Sequence, residues 1–214
     1  FLTMTPEMFK DFGKSLSSVQ IFVSNFYFWS EINYFSPSVE LNPLIHSWSL
    51  SVEEQFYLLF PIFMIVFYRF GIKRITFILF LISVISILFS QFSGNLKFDY
   101  PYINDQFKFY SPSTFSSFYL PFARAWELLA GCIIAIYLNR NNYIFKSSFD
   151  DILCIIGIIL ILISIFYYSS ETPFPSFYTI LPVLGTSLLI IFMRGESQIK
   201  KLFSSFILVN IGLV

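Results

Sequence analysis

Charge is what this chain has least of. Of its 214 residues, 12% are Asp, Glu, Lys or Arg, against 56% hydrophobic. That is too little polar material to cover a soluble globule of this length, so the chain belongs in a bilayer. Its 13 basic and 13 acidic residues cancel, which removes the basic footprint that nucleic acid requires. Only two cysteines occur, Cys132 and Cys154, each inside an apolar run. Two such residues make neither a disulfide framework nor a metal-ligand spacing, so free thiols and no metal are expected. Histidine is rarer still, with His46 alone.

What the chain does have is long apolar runs. A window of about 19 residues finds six, at Leu16–Ser30, Trp48–Tyr68, Ile75–Phe92, Phe122–Leu138, Ile152–Tyr168 and Phe177–Phe192, and a seventh starting at Leu202. The first is weakest, interrupted by Gln20, Ser24 and Asn25. Runs this long and continuous favour helices over the short alternating strands of a membrane barrel. The expectation is an all-α polytopic transmembrane bundle of about six spans plus the start of a seventh. Residues 1–214 read as part of one domain cut at both ends, since the chain starts at Phe1 and stops inside an apolar run. The thirty Phe and thirteen Tyr serve as lipid-facing bulk and interfacial anchors.

Every second connector is basic: Arg69, Lys73 and Arg74; then Arg140 and Lys146; then Arg194, Lys200 and Lys201. The loops Glu31–Ser47, Ser93–Pro121 and Ser169–Ser176 hold only Lys97 and Lys108. The positive-inside rule puts the basic set in the cytoplasm and the others outside. Lys10 and Lys14 then put the start of the chain inside. Asn42-Pro43, Ser111-Pro112 and Thr172-Pro173-Phe174-Pro175 mark breaks between helices, and Asp150 and Asp151 read as helix-start acids.

Two stretches concentrate chemistry. In the first, His46, Ser49, Glu53 and Tyr57 fall in one sector of a helix that already includes His46, with Ser47, Ser51 and Glu54 on another side. Glu54 would sit about 9 Å below Trp48. Glu53, sharing a face with an imidazole, a hydroxyl and a phenol, is the stronger candidate for handling a proton or a sugar hydroxyl. Glu54 also fits a capping box over Ser51-Val52-Glu53-Glu54, and His46 fits a headgroup-level loop histidine as well as a base. The second stretch, Phe122-Ala-Arg-Ala-Trp-Glu-Leu-Leu-Ala-Gly131, spaces Arg124 and Glu127 for one face. It suits either a functional pair or an interfacial ion pair with Trp126 as anchor. Both stretches enter from outside. Ionisable groups at a helix centre cost about 2.5–3.5 kcal/mol each, so one outward-facing polar cavity holding His46, Glu53, Glu54, Arg124 and Glu127 is expected.

Asn42-Pro-Leu-Ile-His-Ser-Trp-Ser-Leu-Ser-Val-Glu-Glu-Gln-Phe-Tyr-Leu-Leu-Phe-Pro61 closely resembles the signature of the membrane acyltransferase-3 family, the O-antigen and peptidoglycan O-acetylases. Ser24-Asn-Phe-Tyr27, Arg124-Ala-Trp-Glu-Leu-Leu-Ala-Gly131 and Leu181-Pro-Val-Leu-Gly-Thr186 extend the resemblance over most of the chain. It implies a multi-pass enzyme of the inner (cytoplasmic) membrane, surrounded by lipid. Such an enzyme takes an acyl group, usually acetyl from cytoplasmic acetyl-CoA, and delivers it to a hydroxyl of an extracytoplasmic glycan, with no nucleic acid involved. His46, Glu53, Glu54, Arg124 and Glu127 are then the catalytic candidates, and Trp48, Ser49, Gln55, Tyr57 and Trp126 the acceptor-binding ones. The resemblance also places an arginine and the usual catalytic histidine before Phe1, and an aromatic-rich segment after Val214. The Arg-Ala-Trp-Glu-Leu form resembles members with a following esterase-like domain. On the residues alone, a transporter of a glycan or lipid-linked intermediate would line a pathway with the same charges. A structural anchor or sensor would tolerate their loss.

Overall fold

The computed structural model describes residues 5–31, 42–93, 118–140, 148–169, 172, 174–193 and 198–213. The loop residues Lys97, Asp99, Asp105, Lys108, Ser111, Pro112, Lys146, Pro173 and Arg194 lie outside the described residues. The described elements are helices: α1 Pro6–Gln20, α2 Ser24–Glu31, α3 Ser47–Phe67, α4 Ile72–Ser93, α5 Pro121–Arg140, α6 Ser148–Tyr167, α7 Ile180–Phe192, α8 Gln198–Phe203 and α9 Phe206–Leu213. Short 3₁₀ turns at Tyr68–Phe70 and Phe177–Thr179 lead out of α3 and into α7.

Burial runs opposite to that of a soluble protein. Ile65, Phe166 and Tyr167 lie more than three-quarters exposed, whereas Ser15, Ser24, Asn25, Ser51 and Ser90 are at 1% or less. Lipid solvates the large apolar side chains, while small polar ones let helices approach closely and hydrogen-bond inside. Among the described residues, four helical stretches are long and apolar enough to cross a membrane: Ser47–Phe70, Ile72–Phe92, Pro121–Arg140 and Phe149–Tyr167. The multi-pass architecture holds on these four. Phe177–Phe192 is apolar but shorter.

The expected first span, Leu16–Ser30, is not one helix. α1 stops at Gln20, and Phe22 takes a positive φ of 54°. The Phe22 N–H donates to the Val19 carbonyl at 3.1 Å and the Val23 N–H to the Ser18 carbonyl at 2.9 Å. These are the paired bonds of a Schellman cap, here with a bulky residue where glycine is usual. α2 then folds back, bringing the Tyr27 hydroxyl to the Asp11 carbonyl at 3.4 Å. Burial, then the charges of Glu31 and Asp11, push the Tyr27 phenol up to about 12, so it remains a donor. α1 is also tied near the start of α3, through Ser15 Oγ to Asn42 Oδ1 at 3.4 Å. Seen along α3, the hairpin descends from the level of Asn42 to that of Gln55 and returns.

The chain divides into two compact units, Phe1–Trp126 and Glu127–Val214. In the second, α6 carries Asp150 and Asp151 in its first turn, where they favour the positive end of the helix dipole. α6 packs on α7 by backbone approach. A Cβ added to Gly157 would lie 2.8 Å from the Gly185 carbonyl oxygen, and one added to Gly185 would lie 2.7 Å from that of Gly157. Cys132 and Cys154 are free thiols.

Candidate functional site

Local chemistry fixes where α3 begins. The Asn42 side chain accepts from the Leu44 N–H at 3.0 Å, and its carbonyl accepts from the Ile45 N–H at 3.0 Å. With proline next, this is the Asn-Pro turn that pre-sets the chain for a helix. His46 is the N-cap residue, with helical φ −64° and ψ −14° and no side-chain cap bond, and it is exposed. The capping box at Ser51 is therefore overturned: Ser51 is the fifth residue of the helix, buried at 1%. Its hydroxyl lies 2.7 Å from that of Ser24, and the Ser47 hydroxyl donates to Ser24 Oγ at 3.1 Å. The turn before α3 already meets the capping need, so Ser51 is free to hold α2.

On this helix Glu53 and Tyr57 lie on the exposed side, Ser49 is half-buried, and Glu54 is half-buried on the side of Ser47 and Ser51. Further down, Pro61 inside α3 removes the N–H that would have met the Tyr57 carbonyl. Gln55 reaches across to the hairpin. Its Nε2 donates to the Phe22 carbonyl at 2.7 Å and to Asn25 Oδ1 at 2.9 Å. Asn25, fully buried, donates in turn to the Tyr119 carbonyl at 3.2 Å. Protein partners thus occupy the Gln55 amide.

Trp48 and Arg124 meet. The guanidinium carbon of Arg124 stands 4.8 Å above the Trp48 ring and 5.6 Å above that of Phe118. Trp48 packs on Phe118 at 4.5 Å and edge-on to Tyr119 at 5.5 Å. Cation–π contacts of this kind are worth about 0.5–2 kcal/mol, more as the pair loses water. The cradle fixes a permanent cation beside the start of α3. About two turns before the end of α4, Ser86 reaches the first turn of α5. Its hydroxyl donates to the Phe122 carbonyl at 2.6 Å and accepts from the Trp126 N–H at 3.1 Å. The hydroxyl thus bridges the Phe122 carbonyl and the Trp126 N–H, two groups one helical turn apart. Trp126 itself is 6% exposed, so it is a packed residue and not an interfacial anchor. Glu127, one turn beyond Arg124 along α5, is half-buried.

Asn25, Ser24, Ser86 and Tyr119 were not among the sequence candidates. The available signal was Ser24 and Asn25, two of the polar residues interrupting the first apolar run, which are buried against protein.

Comparison with known proteins agrees with the motif. The acyltransferase domain family model matches residues 15–212. A Haemophilus influenzae protein described as uncharacterized is 32% identical over 197 residues, covering 89% of this chain and 76% of that protein. The peptidoglycan O-acetyltransferase OatA of Listeria monocytogenes is 27% identical over 209 residues, 93% of this chain and 31% of its own length. The O-acetyltransferase OatA of Staphylococcus aureus is 36% identical over 88 residues, 40% of this chain and 14% of that protein. The chain thus spans a third or less of the two O-acetyltransferases. No solved structure matches significantly. Helices built for lipid, the motif at the start of α3 and a family match over nearly the whole chain agree: this chain belongs to the acyltransferase-3 family and is an acyltransferase domain carried on membrane helices.

Proposed function

We propose that this domain transfers an acyl group, acetyl from acetyl-CoA, to a hydroxyl of an extracytoplasmic polysaccharide such as peptidoglycan, O-antigen or exopolysaccharide, in the cytoplasmic membrane. The observation that carries the proposal is the Arg124 guanidinium held over Trp48 and Phe118 at the end of α3 that bears His46, Glu53 and Glu54. In acyl transfer the acceptor hydroxyl gives up its proton as its oxygen bonds to the acyl carbon. The carbon–sulfur bond to the carrier breaks, and negative charge builds on the carbonyl oxygen meanwhile. A fixed cation in a water-poor site stabilises that charge, and a carboxylate within reach takes the proton. Arg124 suits the first task and Glu53 the second. Glu54 assists the proton transfer, and His46, Trp48, Ser49 and Tyr57 position the acceptor. Gln55 acts by bracing α3.

Of the expected crossings, α3, α4, α5 and α6 are assigned with α7 as a fifth, because the basic pair Lys200 and Lys201 follows it on the side the positive-inside rule makes cytoplasmic. Replacing Glu53 with Gln in the full-length protein should reduce donor-dependent glycan acetylation by at least roughly 10²-fold with membrane insertion intact. Wild-type transfer by that variant would remove Glu53 from the mechanism.

A further inference from the structure

The hairpin α1–α2 is joined to the motif helix by a fully buried amide. Asn25 is 0% exposed and sits three residues beyond the left-handed Phe22. Its amide and that of Gln55 are arranged head to tail. Gln55 donates to Asn25 Oδ1 at 2.9 Å and to the Phe22 carbonyl at 2.7 Å, and Asn25 donates to the Tyr119 carbonyl at 3.2 Å and toward Gln55 Oε1 at 3.5 Å. Reversing either amide would set oxygen against oxygen, so the order of the network is determined by its ends.

Those ends belong to three separate stretches of chain. Phe22 is the turn of the hairpin, Gln55 lies two turns into α3, and Tyr119 leads into α5. Tyr119 is also part of the aromatic cradle, edge-on to Trp48 and 5.2 Å from Phe118, on which Arg124 rests. No covalent connection shorter than the whole α4 hairpin links Gln55 to Tyr119. Asn25 is the hydrogen bond that spans them.

We propose that Asn25 is a positioning residue of the acyl-transfer site: by holding the Tyr119 carbonyl against Gln55, it sets the aromatic cradle and with it the Arg124 guanidinium beside the start of α3. Its kinetic consequence rests on the acyl-transfer function proposed above. The structural consequence does not. Buried amide bonds are costly to leave unmade, and Asn25→Asp keeps the shape while turning a donor into a carboxylate oxygen facing the Tyr119 carbonyl.

The test uses the full-length protein in membranes, with every native cysteine, Cys132 and Cys154 included, changed to Ser and a single cysteine at Leu120, a half-buried position beside Tyr119. In the N25D background, thiol labelling of L120C by a soluble maleimide should accelerate by roughly tenfold. In the N25D enzyme otherwise unaltered, kcat for acyl transfer should fall by roughly tenfold or more with acceptor KM within about twofold, as for an interaction made mainly in the transition state. Ser24→Ala, which removes the neighbouring hydroxyl bonds to Ser47 and Ser51 but leaves the amide pair, is the control for hairpin packing alone and should keep kcat. If N25D fails to reach the membrane, Asn25→Ser, which is too short to meet Tyr119, carries the same expectations. Unchanged labelling overturns the proposal, as does an equal fall in kcat for S24A and N25D. Faster labelling in a protein whose wild type transfers no acyl group would retain the clamp and overturn the acyl-transfer function instead.

Discussion

Alanine should act differently at the glycines of the α6–α7 crossing and at a glycine outside it. A Cβ on residue 157 would stand 2.8 Å from the Gly185 carbonyl oxygen and 3.2 Å from Leu188 Cβ, and one on residue 185 would stand 2.7 Å from the Gly157 carbonyl oxygen and 2.8 Å from Ile161 Cγ1. The obstructing oxygens are backbone, so relief requires the helices to part by roughly half an ångström along their contact, losing packing on both sides. Overpacking of this order costs about 1–3 kcal/mol. Alanine also gains about 0.8–1 kcal/mol of helix propensity over glycine, which blurs the sign at a single site. Gly131 removes that ambiguity. It lies within α5, and a Cβ there meets nothing within 4 Å, so Gly131→Ala registers propensity alone. The useful quantity is the difference: Gly157→Ala and Gly185→Ala should each be less stable than Gly131→Ala by about 1–3 kcal/mol. Reversible unfolding in mixed micelles, followed by circular dichroism, measures it. The double variant G157A/G185A should cost less than the two singles added, because a crossing already opened admits the second methyl. Equal stability of all three single variants would refute the close approach of these helices.

Two further predictions concern the first unit. Single cysteines replacing Lys10 or Lys14 should react with a membrane-impermeant maleimide from the same side as one replacing Pro43. A cysteine replacing Lys73 should react only after permeabilisation, the pattern expected of an α1–α2 hairpin that turns back beside the start of α3 without crossing. Labelling of K10C and K73C from one side, with P43C on the other, would restore the single first span. Ser86→Ala should cost about 1 kcal/mol or less, since the Phe122 carbonyl and Trp126 N–H can then bond each other directly. Ser86→Leu, which must displace the helix, should cost about 1–3 kcal/mol; thermal unfolding in detergent that ranks S86A below S86L would contradict the inserted hydroxyl.

The long helices were legible because lipid leaves the backbone no other partner. Apolar runs at Trp48–Tyr68, Ile75–Phe92, Phe122–Leu138 and Ile152–Tyr168 became α3, α4, α5 and α6 with ends moved by no more than four residues. The hairpin was not legible, since neither Gly nor Pro marks Phe22. Its left-handed turn is supported by Gln55, 33 positions away, and local propensity carries no trace of a donor that distant. Placing Lys10 and Lys14 inside rests on counting charges across a segment, which presumes that the segment crosses. At Ser51 two rules competed. Ser-Val-Glu-Glu satisfies the pattern of a capping box, but Asn42-Pro43 starts the helix a turn earlier, and the displaced serine is used to bind Ser24. Glu53 and Tyr57 share the exposed side of α3, at a depth where a carboxylate in lipid is costly. Polar neighbours for Glu53 are therefore demanded by its exposure, which a motif match leaves unspecified.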